Sequence, residues 1–184
     1  MVDYGGYESK IATLGNGHSK WLKRKAKRVD VNNSSEIKLV EELSDLMFLY
    51  IENEGLAGTC SNEIIWDRTK YPMSVIQVPN HKSEYLMDFK NPKKENYMTL
   101  VNPRIERSDS DTFIFPEECI SLHDGPHNVE RYASIILYAH ILENSVLRPI
   151  ELEYRVERFS IDRARFYSAL VQHEVDHLNG KLIN

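Results

Sequence analysis

The chain has no apolar run long enough to cross a bilayer. Its best stretch, Ile135-Ile136-Leu137-Tyr138-Ala139, is cut by His140. It has no signal-peptide core, and Asp3 and Glu8 come before any arginine, which speaks against a transit peptide. No membrane association is expected, and the cytoplasm is the default location. Cysteine is scarce: Cys60 and Cys119 are the only two in 184 residues. A disulfide framework is not expected without a secretory signal, so each thiol needs its own account. Positive charge is not in excess. With 23 Lys and Arg against 28 Asp and Glu, the net charge of −5 argues against a general nucleic-acid binder. Internal repeats, low-complexity tracts and a domain linker are also missing. Hydrophobic content of 41% and charged content of 28% are ordinary for a globular protein, and the length suits one domain over 1–184.

Residues 1–19 are polar and glycine-bearing and read as an extended arm. Residues 20–28 carry six basic side chains in nine, a stretch that reads as an RNA or ribosome contact or, more simply, as a solvated loop or edge strand. A helix is predicted next. Asn33 with Glu36 three residues on resembles a capping box, and Ile37, Val40, Leu43, Met47 and Ile51 recur at helical spacing. Glu54-Gly55 should end it. Strands are predicted at 73–78, 85–89, 98–101, 112–115, 133–142 and 150–156, where β-branched and aromatic residues alternate with Pro, Asn, Asp or Lys clusters. A second long helix should start near Ser160-Ile161-Asp162, run to Leu178 and stop at Asn179-Gly180. Helix, strands, helix is an α+β order, with mixed or antiparallel strands around the last helix.

That last helix holds Gln172-His173-Glu174-Val175-Asp176-His177-Leu178-Asn179-Gly180. His-Glu-x-x-His puts both imidazoles on one helical face, where they can share a metal ion, with Glu174 beside it as a general base would be. Phe166, Ala169 and Leu170 continue the same face, as a pocket lining or as plain core. Lys181-Leu182-Ile183-Asn184 offers no usual ligand, so a third ligand is expected upstream. Candidates are Cys60, Cys119, His123, His127, His140, Glu117 and Glu118. His123 and His127 fall in a turn and should face solvent. Cys119 is either a thiolate at a strand edge or a small buried hydrophobe.

Three stretches together resemble a known family. Gly55-Leu56-Ala57-Gly58-Thr59-Cys60, then Glu117-Glu118-Cys119-Ile120-Ser121, then His173 to Gly180 are similar, in that order, to the three motifs of peptide deformylases: Gly-x-Gly-Leu-Ala-Ala-x-Gln, Glu-Gly-Cys-Leu-Ser and His-Glu-x-Asp-His-Leu-x-Gly. Leu100-Val101-Asn102-Pro103, the stretch from Leu22 to Val29 and Arg131 also look like the family. The resemblance implies that Cys119, His173 and His177 bind one divalent metal ion. Iron(II) is favoured in the cell; zinc, nickel or cobalt are possible. It implies Glu174 as acid/base and the Ile120 N–H as a donor to the formyl oxygen. Glu54 and Gly55 would pair with substrate backbone, and Phe166, Ala169 and Leu170 would line the methionine pocket. Asp176, Glu117 and Arg131 would be the outer shell. The implied activity is hydrolysis of the formyl group from N-formylmethionyl nascent peptides, as part of N-terminal methionine processing during protein biosynthesis. The implied setting is a monomer in a bacterial or phage-infected cytoplasm.

Two residues depart from the family pattern. Cys60 stands where the family has the glutamine that donates to the formyl oxygen, and a thiol is a weak donor. Glu118 stands where the family has glycine. The chain also continues only seven residues past His177, like reduced, phage-type members, so ribosome docking through a C-terminal extension is not expected. Three other readings stay open. One is a His-Glu-x-x-His metallopeptidase, and another a structural zinc site of Cys60, Cys119, His173 and His177. The third is a weakly active relative that sequesters formylated peptides.

Overall fold

The computed structural model describes residues 2–4, 7–15, 17–80, 91–122, 125–156 and 163–183. The predicted strand at 85–89, the helix start at Ser160-Ile161-Asp162, and His123 lie outside the described residues. Within them the elements run β1 (Val2–Tyr4), β2 (Tyr7–Ile11), α1 (Ser19–Leu22), α2 (Ser34–Glu54), β3 (Thr59–Cys60), β4 (Ile64–Trp66), β5 (Val75–Pro79), β6 (Tyr97–Arg107), β7 (Thr112–Glu117), β8 (His127–Tyr132), β9 (Ser134–Glu143), β10 (Val146–Arg155) and α3 (Arg163–Leu178). Strand pairing is antiparallel throughout, in sheets of order β1-β2-β4, β10-β9-β6-β5-β3 and β7-β8.

The N-terminal stretch predicted as an arm is extended but paired, because β2 has the edge of β4 available to it. The basic stretch is a solvated one: its six charged side chains are all exposed, while Leu22 and Ala26 between them are buried. Helix α2 starts as expected. The N–H groups of Ser35 and Glu36 donate to Asn33 Oδ1 at 3.0 and 3.3 Å. Glu36 reaches back to the Asp30 N–H instead of its own cap residue, at 2.7 Å. Gly55 closes the helix in the left-handed conformation, φ 68°.

The five-stranded sheet is covered on both faces. Val40, Leu43, Met47 and Ile51 of α2 pack on one side with Val75 and Val101, and Tyr167, Val171, Val175 and Leu178 of α3 pack on the other with Ile76, Leu100 and Leu137. Burial on both faces explains why β5 is buried along its whole length. Its one polar side chain, Gln77, is satisfied on the α2 face by Ser44 and Thr99.

Three strands run further than predicted, each through a residue that reads as a break. β6 continues past Asn102-Pro103 because the ladder bulges between Val101 and Arg104, which is where a central strand tolerates proline. Asn102 takes φ 54° there and holds the backbone N–H and C=O of Val29, both at 2.9 Å. β10 contains Pro149 because it lies at the sheet edge. β7 passes through Pro116 in a two-stranded sheet. His127 is the first residue of β8, paired with Glu117 and half-buried, not a solvent-facing turn residue.

The end of α3 is clamped to the basic stretch. Ala26 N–H donates to Leu178 O at 2.8 Å, and a Cβ on Gly180 would lie 2.4 Å from Lys23 O. Gly180 and Gly55 both have positive φ, but a Cβ on Gly55 would meet nothing within 4 Å. Gly55→Ala should therefore cost only the left-handed backbone term, ~1–2 kcal/mol, and Gly180→Ala clearly more. Urea unfolding of both variants beside wild type checks that order.

Candidate metal centre

Residues 173 and 177 sit one turn apart on α3, so their rings meet edge to face, 4.6 Å between centroids. The Nε2 atoms are 3.0 Å apart, and Cys119 Sγ, just past the end of β7, lies 3.2 Å from His177 Nε2. Cys119, His173 and His177 are all buried. His173 is oriented from behind: its Nδ1 is 2.9 Å from Glu117 Oε2. With Nδ1–H donated there, Nε2 keeps its lone pair toward the cluster. Glu117 is in turn gripped by Arg131 through Nε and Nη2, at 2.6 and 2.7 Å, and Arg131 Nη1 reaches Asp176 Oδ2 at 2.6 Å. A second tie joins α3 to β8: the Gln172 amide accepts from Tyr132 N and donates to Tyr132 O, both at 3.0 Å.

The ionisable groups respond to this burial. Burial, then the Glu63 and Glu174 charges, push the Cys60 thiol well up. Burial and Glu63 push the Cys119 thiol up as well. Burial, with Glu63 next, raises Glu174, and burial lowers His177 to about 4. All four shifts favour the uncharged form, as expected where donor groups are drawn together without a cation. Glu117 behaves differently. Burial would raise it, but the bonds and charges of Arg131 and His173 outweigh that and hold it below the usual carboxylate range.

The predicted residues gather around one cleft of about 880 Å³. Glu54, Gly55, Glu117, Cys119, Ile120, Phe166, Ala169, Leu170, His173 and Glu174 line it. His177 lies at its base, buried beneath Cys119 and His173. Gly58 narrows the wall: a Cβ there would sit 3.3 Å from Leu170 Cδ1 and 3.4 Å from Glu174 Oε1. Arg131 and Asp176 are not in this cleft but line another on the far side of α3.

Cys60 is brought close but not into the cleft. It is wholly buried, and its thiol hydrogen-bonds the Glu174 carboxylate. The residue that reaches the donor cluster from this segment is Glu63. Its Oε1 lies 3.6 Å from Cys119 Sγ and 3.3 Å from Ser121 Oγ. Glu63, Cys119, His173 and His177 present four donor atoms within 4.8 Å of one another, while Cys60 groups with Glu63 and Glu174 instead. A structural site of two cysteines and two histidines is thus not what the chain assembles. One signal pointed to Glu63: from Gly55 to Trp66 it is the only charged residue, set just before Ile64-Ile65-Trp66.

Thiol, two imidazoles and carboxylate form a donor set suited to a borderline divalent metal. Glu174 Oε2 beside them is buried with no hydrogen-bond partner among the described residues. Fold and donor set define an α+β protein with a candidate mononuclear metal centre at the foot of a cleft. The family model for polypeptide deformylase matches residues 9–184, and the chain belongs to that family. A peptide deformylase of Saccharophagus degradans is 28% identical over 120 residues, 65% of this chain; the chain thus spans 62% of that relative's length. The fold matches a probable peptide deformylase from Synechococcus phage S-SSM7 with a TM-score of 0.70 at 22% identity, over 96% of this chain and 97% of the other. It also matches a class I type b peptide deformylase of Acinetobacter baumannii with Met-Ala-Ser bound, with a TM-score of 0.67 at 23% identity, over 95% and 94% of the two chains.

Removing the outer carboxylate should loosen the metal. Glu117→Ala is expected to weaken Zn²⁺ binding ~10–100-fold. Asp176→Ala should do less, since that side chain is 34% exposed and touches His173 only through Arg131 and Glu117. Chelator competition with the two variants measures both.

Proposed function

We propose that residues 1–184 act as one unit, a metal-dependent hydrolase that removes the formyl group from N-formylmethionyl peptides and releases formate. The observation that carries this reading is the convergence of Cys119 Sγ, His173 Nε2 and His177 Nε2 beside Glu174 at the base of a cleft with an apolar wall. A divalent metal bound by those three residues supplies Lewis acidity, which activates water and polarises the formyl carbonyl. Iron(II) is the ion we assign in the cell, with zinc, nickel or cobalt able to replace it at this donor set.

The protein's own groups do the rest. Glu174 takes a proton from the attacking water and delivers it to the departing amine nitrogen. Its raised pKa suits both halves of that task, because the carboxyl gains a proton readily in a buried site. The Ile120 N–H, with no acceptor among the described residues, donates to the formyl oxygen as negative charge develops there. Cys60 acts from behind, where its thiol fixes the Glu174 carboxylate. Glu54 and Gly55, at the open end of α2, pair with the substrate backbone in the manner of an added strand. Phe166, Ala169 and Leu170 take the methionine side chain. Arg131 and Glu117 keep His173 in register, with Asp176 behind Arg131.

The substrate is a nascent peptide, so the reaction belongs in the cytoplasm, with the protein working as a monomer. The described residues contain no helix long and apolar enough to cross a membrane. Formate release from formyl-Met-Ala-Ser by metal-loaded protein tests the assignment. Glu174→Ala should lower kcat ~10²–10⁴-fold while its metal content stays at the wild-type level. A Glu174→Ala protein with full activity, or a wild type that cleaves unformylated peptides but not the formyl group, contradicts it.

A further inference from the structure

We propose that Glu63 is a fourth protein ligand to the metal, so that the centre is Cys-His-His-Glu and not Cys-His-His alone. This rests on the metal site assigned above and adds a residue to it. Glu63 is 3% exposed and sits in the short turn of 3₁₀ helix, residues Ser61–Glu63, that follows β3. In such a turn residues three apart point the same way, so Glu63 projects alongside Cys60 toward α3.

Its two oxygens have different surroundings. Oε2 faces its own segment and accepts from Thr59 Oγ1 at 3.0 Å and Cys60 N at 3.4 Å. Oε1 faces the donor cluster, 3.6 Å from Cys119 Sγ and 3.7 Å from His177 Nε2. One oxygen thus anchors the carboxylate while the other is aimed at the point where the sulfur and nitrogens converge. Among the described residues no lysine or arginine forms an ion pair with Glu63; the only nitrogen within 4.0 Å that could carry charge belongs to His177, itself one of the ligands. A buried carboxylate with neutral hydrogen-bond donors alone is costly, and a metal ion removes that cost. Charge also matches: a thiolate and a carboxylate together balance one divalent ion, with the histidines neutral.

A structure of the zinc-loaded wild-type protein reads this directly. A Glu63 oxygen within coordination distance of the ion, ~2.0–2.2 Å, is expected alongside Cys119, His173 and His177. Zinc held by those three with both Glu63 oxygens beyond about 3 Å overturns the proposal and leaves the assigned site standing. Zinc found elsewhere overturns the assigned site. Chelator competition gives an independent measure that needs no catalysis. Glu63→Gln, which keeps the shape and the contacts of the anchored end, should bind zinc at least about tenfold more weakly, on the order of a lost ligand-shell partner. A smaller loss in a folded variant means that Glu63 only anchors its loop, and overturns the proposal.

Discussion

A sulfur and two imidazole nitrogens lie within 3.2 Å of one another in a water-poor interior, next to two buried carboxylates. Left to themselves these groups repel or discharge. The thiols and Glu174 hold their protons, and His177 gives its proton up. The arrangement is stable only if the surrounding fold forces the groups together and a cation joins them. Most of what is distinctive in this structure serves one of those two ends.

The forcing is done from three directions. The sheet face carrying Ile76, Leu100 and Leu137 holds α3 by its apolar side, which leaves the His173 and His177 face turned toward the cleft. The β7–β8 hairpin supplies the polar grip: Glu117 orients His173, and Arg131 keeps Glu117 charged inside the protein. Gln172 completes the grip by pairing with the Tyr132 backbone as a strand residue would. From the third side the segment after α2 brings Gly58, Cys60 and Glu63 against the same helix, and Ser121 Oγ ties the Cys119 loop to Ala12 O at 3.0 Å. Each side chain in the cluster is therefore held by an element other than its own.

Much of this was legible in the order of residues. Helix α2 announced itself through Asn33, its apolar period and Gly55. The pair His173 and His177 with Glu174 was readable because helical spacing alone puts them on one face. Strand β8 was not readable, and the reason is physical. Its inward face holds His127, Val129 and Arg131, so the alternation that marks a strand is carried by charge and not by apolar side chains. The lengths of β6 and β10 were hidden by Asn102-Pro103 and Pro149, which end a strand in most settings but not at a bulge or an edge. Cys60 was picked as the site residue of its segment by motif position. A one-turn 3₁₀ helix instead passes that role to Glu63, three residues on, a step that sequence spacing does not reveal.

The account stands on a bound cation holding the buried cluster together, and unfolding reads that dependence directly. Metal-stripped protein should melt well below protein supplied with Zn²⁺ at a hundredfold excess over its Kd. Selective binding to the native state at that ratio is worth ~2.7 kcal/mol, which for a chain of this size is a rise of roughly 5–10 °C in Tm. The rise should vanish in Cys119→Ala. An unchanged wild-type Tm, with and without zinc, would contradict the central claim.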